Sequence, residues 1–261
     1  MIKIKKILLI SLSCVLFGSA VGCKEVKDSD VGHVNEHTTH RYRMEVVEPT
    51  SNEEGYTIYT CICGDSYIGE YIDINEEVFL QAVEKGGICA VDKNIELDST
   101  VYITKNLVVD LVANISIPND MVGDGVFCVK SGTLTLNGNG TINSVGDNDY
   151  CLALWADGGK IVINGGVYTN VGATDDSSSD PHFDLLYVKN GGIIEINGGE
   201  FKCQTPEWTL NSHDSKVGTI EVKGGKFYKF NPITDANDAT VYVAEGYMVV
   251  QNGDWYEVVK A

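Results

Sequence analysis

The feature that most constrains this chain is a short segment that recurs four times in its second half. Each copy carries two apolar residues separated by a single residue. It is followed by glycines that are expected to turn the chain sharply, and we call this turn a glycine corner. Corner glycines stand at Gly140, Gly166, Gly199 and Gly225, so the copies are 26, 33 and 26 residues apart. A period of this length indicates that each copy belongs to one supersecondary unit that stacks on its neighbours.

Stacking the copies in register places like residues in columns. Residues between the apolar positions, such as Glu195 and Glu221, would then face outward, because successive side chains of a strand alternate between faces. Columns repeating at the spacing of about 4.8 Å between neighbouring strands predict parallel sheets. The predicted interior columns are Leu134, Ile161, Ile194 and Ile220; Leu136, Ile163, Ile196 and Val222; and Ile142, Tyr168, Phe201 and Phe227.

Different elements are predicted at the two ends of this stack. Residues 75–85 carry Phe79 and Val83 at helical spacing before Gly86, which predicts a short amphipathic helix that closes the N-terminal edge. Residues 240–259 alternate like strands around Asn252-Gly253, a dipeptide typical of hairpins.

The run 96–111 resembles the opening of pectate-lyase-like right-handed β-helices. Residues 73–261 also resemble a group of such proteins in gut bacteria and their phages, through Trp208–Asn211 with Asp214, 230–232, 246–250 and 255–259. The resemblance implies an all-β right-handed parallel β-helix over 73–261, with an N-terminal capping helix, a C-terminal antiparallel cap and a small β module before it. It implies little about function, because many activities share this fold.

The N-terminus predicts export. A basic start with Lys3, Lys5 and Lys6 precedes an apolar run over residues 7–17, the order of a signal peptide covering residues 1–22. Small residues then precede Cys23 in a pattern that resembles a bacterial lipobox. This resemblance implies that Cys23 is diacylated, that residues 23–36 form a linker, and that the protein lies on the outer face of the cytoplasmic membrane. The alternative is ordinary secretion with cleavage after Ala20.

Charge excludes several partners. The chain has a formal net charge of −18, and removal of residues 1–22 leaves 16 basic against 37 acidic residues. Such a surface repels nucleic acid and polyanionic glycans, so the membrane would be reached through the lipid alone. Arginine stands only at Arg41 and Arg43, which argues against lyases of this fold that use an arginine base.

Acidic residues in an inserted segment suggest two kinds of chemistry. Asp175, Asp176 and Asp184 are the candidate catalytic residues of a polysaccharide-degrading enzyme, with His182 nearby. The same acidic loop over 175–184, which includes Asp180, could bind calcium through carboxylate oxygens. The simpler interpretation is that this segment is a solvent-exposed, serine-rich acidic loop, so we expect no catalysis and no required cofactor.

Aromatic residues offer a better candidate site. Trp155 and Tyr187 fall at equivalent places in successive repeats, and Trp208 opens the next one. Exposed rings would stack on sugars, whereas buried rings would only fill space. Asn211 and Asp214 join this candidate ligand-binding set through the family resemblance. A further column, Asn137, Asn164 and Asn197, is interpreted as a structural ladder of stacked amides.

Cysteines fall into two groups. Cys89, Cys128, Cys151 and Cys203 are expected to be buried as small apolar residues. Residues 37–72 resemble a short Cys-x-Cys-Gly repeat of surface proteins from Gram-positive gut bacteria, and the following set could hold zinc: His37, His40, Cys61 and Cys63. The alternative is a β-hairpin whose two cysteines are reduced or oxidised.

Together these patterns predict an exported surface lipoprotein. Its β-helix would act as a binding, adhesion or structural module for neutral glycans or a protein partner at the cell surface. The alternative function is a glycan-degrading hydrolase or lyase.

Overall fold

The structure is a computed structural model that describes residues 42–47, 55–72, 76–118, 125–146, 151–174, 183–212, 217–236 and 239–261. Half of it is strand and 6% is helix, and most strands lie in parallel sheets. The predicted all-β class is therefore confirmed.

The described part of the chain begins with a small antiparallel sheet and a helix. The strands β1 (Tyr42–Val47), β2 (Gly55–Cys61) and β3 (Ser66–Ile72) form the sheet in the order β1-β2-β3. The helix α1 (Glu76–Lys85) ends at Gly86, whose φ of 75° suits a glycine and no other residue well. No helix in the described part of the chain is long and apolar enough to cross a membrane.

Nineteen further strands follow in the described residues after the helix, with a 3-10 helix at Pro206–Trp208. They are β4 (Gly87–Val91), β5 (Ile95–Glu96), β6 (Val101–Ile103), β7 (Leu107–Leu111), β8 (Ile115–Ser116), β9 (Phe127–Val129), β10 (Thr133–Gly138), β11 (Thr141–Asn143), β12 (Leu154–Asp157), β13 (Lys160–Ile163), β14 (Val167–Thr169), β15 (Leu186–Lys189), β16 (Ile193–Ile196), β17 (Glu200–Lys202), β18 (Leu210–Asn211), β19 (Thr219–Val222), β20 (Lys226–Tyr228), β21 (Tyr247–Asn252) and β22 (Trp255–Lys260).

From β4 to β20 the chain fills three parallel sheets in strict rotation. The first sheet has the order β4-β7-β10-β13-β16-β19, the second β5-β8-β11-β14-β17-β20, and the third β6-β9-β12-β15-β18. Each strand therefore pairs with the equivalent strand of the preceding and following repeat. We call one pass through the three sheets a coil.

The predicted interior columns are confirmed. Strand register aligns Ile161 with Leu134 and Ile194, and Ile194 with Ile220. It aligns Phe201 with Tyr168 and Phe227 in the second sheet. Every one of these residues is buried, whereas the intervening Thr135, Val162, Glu195 and Glu221 are part-exposed.

Stacked rings explain why the corner glycines are needed. Tyr168 and Phe201 stack with centroids 5.2 Å apart, and Phe201 and Phe227 with centroids 4.8 Å apart. A Cβ on Gly199, at φ 102°, would lie 3.3 Å from Phe201 Cζ, and one on Gly198 would lie 2.6 Å from Asn164 O. The corner thus brings the backbone against both the ring stack and the preceding coil, where only glycine fits.

Two elements adjoin the ends of the sheets. Helix α1 contacts β4 and β6, and its Phe79 packs on Phe127 with ring centroids 6.0 Å apart. At the other end β22 pairs antiparallel with β20, and β21 pairs with β22, so the second sheet ends in a hairpin.

The asparagine ladder is also confirmed. Asn164 Nδ2 donates to Asn137 Oδ1 at 2.9 Å, and Asn197 Nδ2 donates to Asn164 Oδ1 at 3.0 Å. Asn137 Nδ2 in turn donates to Asp110 Oδ1 at 3.1 Å. The amides link successive coils beside the glycine corners, as a structural ladder would.

Candidate ligand-binding face

A column of side chains at equivalent strand positions runs along the third sheet. Strand register places Trp155 between Cys128 of one neighbouring coil and Tyr187 of the other. Tyr102 aligns with Cys128, and Asn211 aligns with Tyr187. The structure therefore brings together three residues of the predicted binding set, and we call these five residues the third-sheet column.

Exposure divides the column into two parts. The side chain of Tyr102 is 50% exposed and Trp155 is part-exposed. Cys128 and Asn211 are buried, and Tyr187 is only 7% exposed, with its ring 5.9 Å from that of Trp155. Tyr102 and Trp155 thus form the open part of the column, and Tyr187 packs beside it.

Lys130 lies over this open part. Its ammonium Nζ is 5.4 Å from the centre of the Tyr102 ring and 4.8 Å from the centre of the Trp155 ring. Cations at such distances are attracted to the negative faces of aromatic rings. The small side chain of Cys128 lies between the two rings in the column, which leaves room for the lysine above it.

An acid fixes the position of this lysine. Lys130 Nζ lies 2.5 Å from Asp157 Oδ2, and Asn190 Nδ2 donates to Asp157 Oδ1 at 2.5 Å. The hydrogen bond to Asp157 raises the pKa of Lys130. Desolvation opposes ionisation of Asp157, but the hydrogen bonds from Lys130 and Asn190 outweigh it and lower the pKa of that carboxyl group. Both groups are therefore charged at neutral pH.

One polar atom of this face has no protein partner. Trp155 Nε1 is buried and makes no hydrogen bond in the structure. An unsatisfied buried donor costs about 1–3 kcal/mol. The open part of the column itself offers ring faces, an ammonium and a carboxylate.

The remaining predicted binding residues lie nearby in the chain. Trp208 is part-exposed at the end of the 3-10 helix that leads into β18. Asn211 Nδ2 donates to Asp184 Oδ1 at 3.0 Å within the interior. Asp184, a candidate for both catalysis and calcium binding, is 6% exposed, so its carboxylate supports Asn211 rather than facing solvent. Asp214 lies outside the described residues.

A second polar column, which the sequence did not predict, lies inside the stack where the second sheet leads into the third. Asn170 Nδ2 donates to the carbonyl oxygens of Cys151 and Asp184, and its Oδ1 accepts from Gln204 N. Ser144 Oγ also donates to Cys151 O, and Cys203 Sγ donates to Phe183 O at 2.9 Å. These bonds satisfy backbone carbonyls that the connecting segments would otherwise bury unpaired.

The four cysteines expected in the interior are all buried. Burial raises the pKa of Cys89 to about 11 and that of Cys203 to about 12. These thiols therefore stay protonated at neutral pH, as expected of packing residues.

The small sheet holds the two remaining cysteines and a cluster of tyrosines. Cys61 is buried and Cys63 lies on the surface of the β2–β3 turn. Tyr59 and Tyr67 stack with centroids 4.8 Å apart. Tyr42 donates to Asp65 Oδ2 at 2.5 Å, and this hydrogen bond raises the pKa of Tyr42 to about 12.

Several predicted sites fall outside the described residues. They are the signal segment and Cys23, His37 and His40 of the zinc hypothesis, and Asp175, Asp176, Asp180 and His182 of the inserted segment. Within the described residues, no three His, Cys, Asp or Glu side chains come together in a way that could hold a metal ion. The zinc and calcium hypotheses thus remain predictions.

A second aromatic pair stands on the second sheet. The rings of Tyr228 and Trp255 are 5.3 Å apart, and Lys202 Nζ lies 5.3 Å from the centre of the Trp255 ring. Its makeup of two rings and a lysine matches that of Tyr102, Trp155 and Lys130, on a different face of the molecule. This makes Trp255 a suitable control for experiments on Trp155.

Sequence analysis missed Tyr102, Lys130, Asp157 and Asn190. The position of Tyr102 one residue after Val101, the first residue of β6, could have indicated the same column, because Trp155 and Tyr187 are the second residues of their strands too. Comparison with known proteins found no matching family model, no similar curated protein and no similar solved structure.

Proposed function

We propose that this chain is an exported, lipid-anchored surface protein whose body is a right-handed parallel β-helix, and that the open part of the third-sheet column binds a neutral glycan. The single observation that carries the binding proposal is the pair of accessible rings, Tyr102 and Trp155, with Lys130 and Asp157 held beside them.

The strict rotation through three parallel sheets supports the β-helix. Equivalent strands pair only with those of adjacent coils, as expected of a chain that winds about one axis. Connections between parallel strands are overwhelmingly right-handed, which supports the hand that the family resemblance implies. Helix α1 and the β21–β22 hairpin would then close its two ends.

The sequence of the first 23 residues supports the anchor. A basic start, an apolar run and small residues before Cys23 are the arrangement that lipid-attaching enzymes recognise. The expected test is incorporation of an alkyne-tagged fatty acid by cells that express the full chain. Cys23→Ser should abolish the label, and Cys14→Ser, in the apolar run, should leave it unchanged.

The chemistry of the open face suits sugars. The apolar C–H faces of a pyranose pack on aromatic rings, while its hydroxyl groups need both donors and acceptors. Lys130 Nζ can donate, and Asp157 can accept. Flat polar ligands with one apolar face are therefore the class that this surface fits.

Charge restricts the class further. The net charge of −18 repels uronic-acid and sulfated polymers over distances of several ångströms. Lys130 is already paired with Asp157, so the charge beside the two rings is largely neutralised and offers little attraction to a carboxylate or sulfate. A neutral glycan meets neither obstacle.

The test is binding of the full chain to an array of neutral and acidic glycans, followed by calorimetric titration of each hit. Trp155→Ala and Tyr102→Ala should each weaken binding about tenfold or more, the loss typical of a central aromatic contact. Trp255→Ala removes an equivalent ring from the other face and should leave the affinity unchanged.

Two outcomes would contradict the proposal. If the folded chain binds no glycan on the array, the proposed glycan ligand is wrong. Binding that Trp255→Ala weakens and Trp155→Ala does not would place the site on the second sheet instead. A normal circular-dichroism spectrum and melting temperature for each variant ensures that the loss is local.

A further inference from the structure

The second sheet ends in an open strand. In the described part of the chain, β21 pairs with β22 on one side and no strand pairs with its other side. Natural sheets usually protect such an edge with charges, proline or a bulge. The sequence of β21, Tyr-Met-Val-Val-Gln-Asn, contains no charge and no proline.

The direction of the unused backbone groups follows from the neighbouring hydrogen bonds. Val258 N donates to Gly225 O, so even-numbered residues of β22 face β20. Ala261 N donates to Gly246 O, so odd-numbered residues of β22 and even-numbered residues around β21 face each other. The backbone N–H and C=O groups of Val249 and Gln251 must then point away from the sheet.

The side chains of β21 alternate in a complementary way. Tyr247 and Val249 pack against the hydrophobic core. Met248 and Val250 lie on the outer face and are 46% and 44% exposed. The edge therefore presents both unpaired backbone groups and two uncovered apolar side chains.

We propose that β21 pairs antiparallel with β21 of a second copy of this chain, with Val249 on the two-fold axis. This register lets the two Val249 residues exchange both of their backbone hydrogen bonds, because their N–H and C=O groups face outward. It places Tyr247 opposite Gln251 of the second copy. It also places Met248 opposite Val250 of the second copy on the outer face, so the apolar side chains cover one another.

A second copy is the occupant that the strand fits best. The register is self-complementary: the exposed apolar residues meet each other across the axis and the residues of the core face remain in line with the core. Because β21 itself is uncharged, the strongly acidic character of the chain places no like charges directly opposite within the strand pair. Repulsion between the two bodies remains, and added salt should reduce it.

The test is sedimentation of the full chain carrying Cys23→Ser, which keeps it free of lipid, over a range of concentrations in reducing buffer. We expect a monomer–dimer equilibrium that shifts toward the dimer as salt is added. Val249→Pro should shift it to the monomer, because proline lacks the outward N–H but leaves the β21–β22 ladder intact. Val249→Ala keeps the N–H and should keep most of the dimer.

A charge exchange tests the register itself. Met248→Lys with Val250→Lys places two pairs of like charges opposite each other across the axis and should raise the dissociation constant about tenfold or more. Met248→Lys with Val250→Glu places opposite charges there and should restore the dimer. Both side chains are exposed, so each double variant should melt like the parent.

Three results would overturn the proposal. One is that the chain stays monomeric up to its solubility limit, even if it associates with a different protein. The others are a dimer that persists in Val249→Pro, and two double variants that dimerise equally. None of these depends on whether the third sheet binds glycan.

Discussion

The ring of Tyr168 stacks on the ring of Phe201 in the next coil, with planes only 11° apart. Phe201 in turn stacks on Phe227, so it lies in the middle of a three-ring column that is fully buried. The column joins three coils through direct side-chain contact, and its central ring has a neighbour on both sides.

We expect Phe201→Ala to lower the free energy of unfolding by about 3–5 kcal/mol, since it removes a buried ring and leaves a cavity between two others. Denaturation by urea, followed by circular dichroism, measures the change. Phe201→Leu fills more of the cavity and should cost clearly less. Equal losses for the two variants would mean that filling the cavity with aliphatic carbon restores no stability, which would contradict this expectation.

The glycine corners predict a second effect. Gly199→Ala places a Cβ near Phe201 Cζ and at a φ of 102°, so it should destabilise the fold through both contact and backbone strain. Gly246→Ala also stands at positive φ, 82°, but its Cβ would meet no atom within 4 Å. The control should therefore lose only the strain of about 1–3 kcal/mol, and Gly199→Ala should lose more. The melting temperatures of the two variants measure this difference in stability, and Gly199→Ala should melt at the lower temperature.

The interior polar column predicts that Asn170→Ala is costly. It would remove the donor to the buried carbonyl of Asp184, the acceptor of the Gln204 amide and one of the two donors to Cys151 O, which Ser144 Oγ would still contact. We expect a loss of about 2–3 kcal/mol or more in the free energy of unfolding. Asn143→Ala, which removes a part-buried bond to Val145 N, should cost less. A native-like stability for Asn170→Ala would contradict this role.

The ion pair of Lys130 and Asp157 predicts a pH dependence. Because the pKa of Asp157 is lowered in the folded chain, its contribution is complete above the pKa of an unfolded aspartate and is lost as pH falls through the folded value. The difference in unfolding free energy between the parent and Asp157→Asn should therefore shrink below about pH 4. A difference that is constant down to low pH would contradict the pair.

The interior of the stack could be predicted because its residues repeat. Ile161 and Ile194 precede corners that only glycine can form, Phe201 follows one, and the spacing of those corners aligns the strands. Glycine pairs also follow the third-sheet strands β12 and β15, but apolar and polar residues do not alternate in these strands. Around Trp155 both faces of the strand are apolar, so alternation could not show which residues point outward.

The interaction of Lys130 with Tyr102 and Trp155 could not be predicted for a related reason. It joins three coils through positions whose residue type changes from one coil to the next. Asn170 was missed because a buried asparagine breaks the hydrophobic pattern of an interior position. In both cases the contact joins residues of different coils, and the sequence around each residue does not indicate which coils become neighbours.

The hydrogen bond from Asn170 Nδ2 to Asp184 O, 3.1 Å long, ties together the two ends of the segment between them. Closing a loop costs entropy that grows only slowly with its length. Evolution, or a designer, could therefore lengthen or exchange that segment while the coils beneath stay as they are. The protein could in this way acquire a new binding specificity through the inserted segment while the β-strands keep their structure.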